Sequence, residues 1–327
     1  MIATTPVARW SWGDPGHATD LVQEAVRRLS LALGVLDRHR LGTPHGGTVT
    51  AVVPEPGRQN FVLRADLPVD DAIVSEIKRR IADGKVGGVE LSTSCDGLVE
   101  TGDGSEAVEG LFRLAVDVSE SFFHVELTTF SDAWMPFDLR GREQRDVFTR
   151  NRPRLAEALA DISEALDLEI DPEDPTWFGI PTATGVENHF EDSAGSPSDV
   201  WGRFEIPHRN GIFSQTPRFT AAYRRDASGR VQYLPVHRGH DVLGYLWASD
   251  TENAASFEPC DAADVDGYQA GLIWLNRLQA AYDRGLPPSA ALTELRNAPP
   301  DPVAGQAAGT APVEADSFGA LRELAGS

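Results

Sequence analysis

Two periods of apolar and polar residues run along the chain, and together they predict most of its elements. The strongest pattern lies between Ser121 and Leu166. There Phe123, Val125 and Leu127 alternate with His124, Glu126 and Thr128, as in a strand with one buried face. After an aromatic loop, Leu155, Leu159, Ile162 and Leu166 recur at helical spacing, with Ala156, Ala158 and Ala165 as good helix formers. A strand therefore feeds a helix that packs back on its sheet. Upstream, the stripe Leu21, Val22, Ala25, Leu29, Leu33 and Leu36 predicts a helix from Thr19 to His39, with Asp20 and Gln23 as a capping pair and Gly42 as its stop. Strands follow at Thr48–Val53 and Phe61–Leu67 around a Pro54–Gly57 turn. Pro68 and Asp70 then open a second helix, with Ile73, Val74, Ile77 and Ile81 inward and Gly84 as its stop. Val89–Thr93 reads as a strand and the polar stretch Cys95–Glu109 as a loop. Leu111–Val118 and Phe122–Thr129 form an antiparallel hairpin.

The acidic, Pro-containing stretch Asp167–Thr176 marks the expected domain boundary, and 177–217 has little periodicity. Strands at Arg218–Arg225, Val231–His237 and Asp241–Ser249 predict a three-stranded meander. A helix at Asp264–Arg284 and a shorter one after Pro287 and Pro288 come next. Asn297–Asp316 has the Pro, Ala and Gly content of a flexible linker. Ser317 caps a short segment in which Phe318, Leu321 and Leu324 share a face. So short a helix must dock, on its own domain or on a partner. The reading is an α+β protein of two closely packed units of mainly antiparallel sheet with helices on one face: residues 1–170, residues 171–297, and a flexible C-terminal tail with a short docking helix at 298–327.

Composition narrows the partners. A chain of 327 residues with 41% apolar content has material for two domains and a sizeable core. The net charge of -21 opposes nucleic acid, whose phosphates demand Lys and Arg, and favours a basic protein partner. Cys95 and Cys260 form no disulfide framework. No basic start leads into an apolar run and no 18 consecutive residues are apolar, so a cytoplasmic protein without membrane association is expected. Among 29 cationic residues only Lys78 and Lys85 are lysines, which suggests a high-GC bacterial source.

Chemistry-bearing residues are sparse. Glu126, with Asp132 and Asp138, forms a carboxylate group suited to acid–base work. His237 and His240 beside Asp241 have the spacing of a metal pair, but no further ligand stands at a recognised distance, and no metal or cofactor is expected. There is no G-x-S-x-G, Walker A or G-x-G-x-x-G followed by a helix. The aromatic loops offer more. Trp134 and Phe137 interrupt a polar stretch, Trp177, Phe178 and Trp201 lie in the irregular middle, and acidic runs occur at 157–174 and 241–266. Trp134, Phe137 and Trp177 with Asp171, Glu173 and Asp174 therefore form the expected contact set for a basic protein.

The segment Arg230–Arg284 resembles the closing part of a GAF-type sensor domain, with Pro235, Gly244, Leu246, Phe257 and Asp261 matching its layout. That resemblance covers about a sixth of the chain and implies sensing of a small-molecule ligand. The leading expectation is a non-enzymatic protein that masks a basic partner, as an immunity or antitoxin protein of a bacterial toxin pair does. The alternatives are a GAF-like ligand-sensing module and an enzyme with a dispersed carboxylate and histidine site.

Overall fold

Strict alternation of burial along the strands builds the first half of the chain. The computed structural model describes all residues except 45–46, 54–60, 68–71, 82–85, 191–197, 310 and 327, with backbone alone for 47–53, 61–67 and 81. The predicted Pro54–Gly57 turn, the helix start at Pro68 and Asp70 and the Gly84 stop lie outside the described residues. Two units are present, Met1–Glu205 and Ile206–Ser327.

The first unit runs β1 (Ala8–Pro15), α1 (Leu21–Arg38), β2 (Thr43–Pro44), β3 (Gly47–Val53), β4 (Phe61–Leu67), α2 (Ile73–Ile81), β5 (Gly88–Thr101), β6 (Gly104–Ser119), β7 (Phe122–Thr129), α3 (Arg145–Leu166), β8 (Asp171–Pro172), β9 (Gly179–Thr182) and β10 (Gly185–Asn188). Its eight-stranded antiparallel sheet has the order β4-β3-β5-β6-β7-β1-β8, with β2 also on β5. Phe112, Leu114, Val116, Phe123, Val125 and Leu127 are buried, whereas Arg113 and Asp117 face water. That is the pattern of a sheet covered on one face. Helix α1 packs on β5, β6 and α3, and α3 packs on β5. Asp20 caps α1 as expected, accepting from the Gln23 N–H at 3.1 Å.

Three expectations change here. The polar stretch at Cys95–Glu109 is not a loop but the far end of the β5–β6 hairpin. Its alternation breaks where the register shifts between Cys95 and Gly97, and there the Asp96 carboxylate accepts the Gly110 N–H at 2.8 Å. The opening residues around Trp10 and Trp12, to which the sequence assigned no element, form β1 between β7 and β8. Finally, the boundary expected at Asp167–Thr176 lies within the first unit, because Asp171–Pro172 pairs with β1. The division falls after Glu205, in place of the expected domains at 1–170 and 171–297.

The second unit runs α4 (Ile206–Gln215), β11 (Val231–Arg238), β12 (Asp241–Ser249), β13 (Ala254–Pro259), α5 (Asp264–Asp283), α6 (Pro288–Arg296), β14 (Gln306–Ala307), β15 (Val313–Ala315) and α7 (Phe318–Ala325). Its sheet has the order β13-β12-β11-β14, with β15 also on β11. The meander exists, but its third strand is β13. Arg218–Arg225 supplies only an isolated bridge, Arg224 to Ala254, and Tyr223 is fixed by its hydroxyl on the Leu286 carbonyl at 2.6 Å. Along β12, Leu246 and Ala248 enter one core with Trp274 and Leu278 of α5, while Tyr245 and Trp247 enter a second core with Leu321 and Ala325 of α7. A strand buried on both faces reads as a continuous apolar run, as this one does.

Residues 298–309 and 311–326, which lie in the stretch expected as a flexible tail, are integrated into this unit. Composition concealed their strands because each is only two or three residues long, and β11 supplies the pairing. Helix α7 docks on its own unit. Its Phe318 ring lies 4.4 Å from that of Trp247, Arg322 bonds Glu258 at 3.1 Å, and the Ser317 hydroxyl accepts the Ala320 N–H at 3.1 Å. Among the described residues, no helix is long and apolar enough to cross a membrane.

Because Leu321 on that helix is fully buried, Leu321→Ala should cost the second unit about 2–4 kcal/mol. Ser317→Ala should cost about 1 kcal/mol. Urea denaturation followed by tryptophan fluorescence, with Trp247 beneath α7 as the reporter, measures both; wild-type stability in Leu321→Ala would show that α7 docking contributes nothing.

Candidate functional site

The loop after β7 is the most strongly organised irregular segment of the first unit, and Asp132 organises it. The fully buried carboxylate pairs with the Met1 ammonium and accepts the Leu139 N–H at 3.1 Å. The Asp132 carbonyl accepts from the Gln144 amide at 2.6 Å and from the Met135 N–H at 3.0 Å. Burial pushes its carboxyl above the usual carboxylate range, against the opposing pull of the Met1 ammonium and the Leu139 N–H. A cavity of about 360 Å³ lies beside it, lined among others by Val99, Glu106, Ser131, Gln144 and Val147.

The other acid–base candidates are placed apart or engaged. Glu126 accepts from Arg113 at 3.3 Å and from the Thr128 hydroxyl at 2.9 Å. Asp138 shares the Asp132 loop but folds its own turn, accepting the Arg140 and Arg142 N–H groups and the Arg142 guanidinium at 2.7–2.9 Å. His237 and His240 belong to the second unit, His237 at a register shift in β11 and His240 exposed at the turn that follows. Among the described residues no group of three His, Cys, Asp or Glu side chains can hold a metal ion. Cys95 is buried, and its thiol is pushed up to about 12 by that burial, so it is a packing residue.

The contact set is rearranged. Trp134 is not a surface anchor: it is fully buried, its ring lies 5.4 Å from Phe112, and its indole N–H donates to the Thr129 hydroxyl at 2.8 Å. Phe137 is half-buried edge-on against Phe190, with its N–H and carbonyl both bonded to the Asn188 amide. Phe178 and Trp201 are likewise buried. Trp177 alone of these aromatics lies open, at 66% exposure.

Local structure holds Trp177 outward. The Thr176 hydroxyl donates to the Val7 carbonyl at 2.7 Å and accepts the Phe178 and Gly179 N–H groups at 3.1 and 3.0 Å; the Thr176 N–H closes the turn on the Gly179 carbonyl at 2.9 Å. Phe178 then points inward. Gly179 is required by close approach, since a Cβ there would meet Val186 at 2.7 Å and the Val7 carbonyl at 3.2 Å. The Trp177 ring lies 4.7 Å from Phe204, and the Arg203 guanidinium lies 5.0 Å over Phe204. Phe204 itself stands on a π-helical turn, 201–205. The buried Glu205 carboxylate ties that turn to the N-terminal segment through the Thr4 N–H and the Thr4 and Thr5 hydroxyls, at 2.6–3.3 Å. Nothing in the sequence linked Phe204 with Trp177, because the intervening residues carry no period.

Acidic residues lead into this turn. Asp171 and Asp174 are exposed, Glu173 is half-buried with its N–H on the Arg9 carbonyl at 3.1 Å, and Glu164, Asp167 and Glu169 upstream are exposed. The second acidic run is different in kind. Asp250 accepts Ser289, Glu252 accepts the Ser228 and Gly229 N–H groups, and Glu258, Asp264 and Asp266 pair with Arg322, Arg209 and Arg238. These carboxylates build the second unit and do not form an open acidic face. No protein-family model, curated protein or solved structure matches the chain.

Two expectations follow. The folded chain holds the Asp132 proton more tightly than the unfolded chain does. Its stabilising contribution is thus full below the ordinary carboxylate range and is lost as pH rises through the raised value. Stability of the wild type relative to Asp132→Asn should therefore fall as pH rises through that window, measured by urea denaturation at several pH values; a flat difference would show that Asp132 titrates alike in both states. Thr176→Val, which keeps the shape but strips the hydroxyl from the turn, should lower stability by about 1–3 kcal/mol in calorimetry.

Proposed function

We propose that the chain is a cytoplasmic, non-enzymatic binding protein that covers a basic protein partner, in the manner of an immunity or antitoxin protein of a bacterial toxin pair. The observation that carries this reading is Trp177: a largely exposed indole, fixed by a hydrogen-bonded turn and backed by Phe204, directly after the Asp171, Glu173 and Asp174 carboxylates. Interface hot spots are rich in tryptophan, and a ring already held in position loses little freedom when a partner covers it. The carboxylates add attraction at a distance, raising the rate of encounter with Lys- and Arg-rich surfaces. The net charge of -21 acts in the same direction over the whole chain.

The test is capture of a basic protein from the lysate of the host, followed by binding kinetics with the purified pair. Trp177→Ala should weaken the complex by about 2 kcal/mol or more, roughly 30-fold, mainly through faster dissociation. Reversing Asp171, Glu173 and Asp174 to Lys should slow association and flatten its salt dependence. Retention of wild-type kinetics by both variants would move the interface elsewhere and remove the basis of this assignment.

A further inference from the structure

One face of the second sheet is an aromatic groove, and α7 fills it. The floor is Val231, Tyr245, Trp247 and Ala254, all buried. Tyr233 stands opposite Trp247 in the β11–β12 register and lies 5.6 Å edge-on from Tyr245. From α7, Phe318, Leu321 and Ala325 enter the groove. At its rim the Glu258 carboxylate holds Arg322, whose guanidinium also lies 5.9 Å over the Phe318 ring. A ring, an aliphatic side chain and a cation at helical spacing thus meet an apolar floor with an acid beside it. That is how amphipathic helices are recognised in grooves.

Yet α7 is a poor occupant. Trp10, Trp12, Trp134 and Trp274 each donate their indole N–H to an oxygen, whereas the fully buried Trp247 N–H has no hydrogen-bond partner among the described residues. A donor left unmade opposes burial beneath α7. Gly319 stands inside the helix and weakens it; a Cβ there would meet the Ser317 hydroxyl at an ordinary 3.6 Å, so no close approach requires glycine. Eight residues are also too few for a helix to hold itself. Charge adds to this. The Asp261 carboxylate lies 3.4 Å from where a Cβ of Gly326 would stand, at the carbonyl end of α7, and opposes the helix dipole. Within α7 the charge of Arg322, its one cation, is cancelled by Glu323. A helix that brings an acceptor to Trp247 and more cations to Glu258 and Asp261 gains what α7 forgoes.

We propose that α7 is a displaceable occupant of this groove, which also takes an amphipathic helix of a basic protein, with a ring and an aliphatic anchor on one face and Lys or Arg beside them. The groove belongs to the second unit and does not rest on the Trp177 assignment. Its first test is amide hydrogen exchange of the full chain by NMR. Residues 321–325 and the Trp247 indole N–H should exchange at least tenfold faster than the amides of β12, through local opening. Gly319→Ala, which closes α7 more firmly, should slow that exchange about threefold. The second test titrates the full chain with a synthetic peptide of residues 312–326 carrying Gly319→Ala and Glu323→Lys. The Trp247 indole resonance should shift saturably, with binding about tenfold tighter to Leu321→Ala, whose own α7 competes less, and about threefold weaker to Gly319→Ala. Adding Arg322→Gln to the peptide should weaken binding about fivefold to the wild type and not to Glu258→Gln. Protection of α7 equal to that of β12 overturns the proposal, and the wild type decides this even if Leu321→Ala does not fold. Absence of a saturable shift in every chain overturns it, as does equal affinity of the two peptides for the wild type. A shift that appears with rising chain concentration alone would assign the groove to α7 of a second copy and overturn it too.

Discussion

A buried indole removes a large apolar surface from water at little cost only when its N–H finds an acceptor. In the first unit that requirement fixes β1. Trp10 and Trp12 stand two residues apart on this strand, both fully buried. Trp10 donates to the Thr182 carbonyl of β9 and Trp12 to the Ser163 hydroxyl of α3, each at 2.8 Å. The strand is thereby joined to the helical layer through one ring and to the β9–β10 hairpin through the other. Three of the contacts that position Trp177 reach β1 or the residue before it: β8 pairs with Trp10 and Ser11, the Glu173 N–H reaches Arg9, and the Thr176 hydroxyl reaches Val7. The candidate surface is an extension of the sheet's anchored edge.

Charge is used in two ways in the two units. In the second, acidic side chains cap turns or sit beside arginines, and the partly buried Glu258 keeps Arg322 as a partner although burial raises its carboxyl above the ordinary range. Such carboxylates are part of the packing, and the field they project is reduced by the cations beside them. In the first unit, the exposed acids between Glu164 and Asp174 lie in a stretch of sequence that contains neither Lys nor Arg. Two acidic runs of the sequence therefore carry different meanings, and side-chain placement separates them.

Periodicity located those elements whose burial alternates. The β7 pattern of Phe123, Val125 and Leu127 and the α1 stripe from Leu21 to Leu36 are found where one face meets a core, so a hydrophobic period was visible. It failed where pairing rather than side-chain burial makes the element. The outer half of the β5–β6 hairpin is polar because much of it lies in water. The strand β13 is buried along almost its whole length, Ser256 included, and β14 and β15 pair on the edge that β11 offers. Aromatic residues were legible as a class but not individually. Trp134 and Trp177 each precede another apolar residue in a stretch without a period, yet one fills the core and the other stands in solvent. The difference comes from the acceptors: Thr129 at the end of β7 for the Trp134 indole, and for the turn beneath Trp177 the distant Val7, which no local window contains.

An exposed tryptophan in a folded chain forgoes a burial contribution on the order of 2–3 kcal/mol. Loose packing would explain that loss if the turn carrying the ring were itself free to fold inward. It is not: the Thr176 hydroxyl donates to the Val7 carbonyl and accepts the Phe178 and Gly179 N–H groups, Phe178 is directed into the core, and Gly179 lies against Val186 and the Val7 carbonyl. Turning Trp177 inward would break those bonds and expose Phe178, exchanging one ring for another with hydrogen bonds lost besides. The indole is thus held outside by the same contacts that stabilise the strand beneath it. A surface of the proposed kind that covered Trp177 and Phe204 would recover the forgone burial without rearranging the unit, and carboxylates at the approach would act on its arrival more than on its residence.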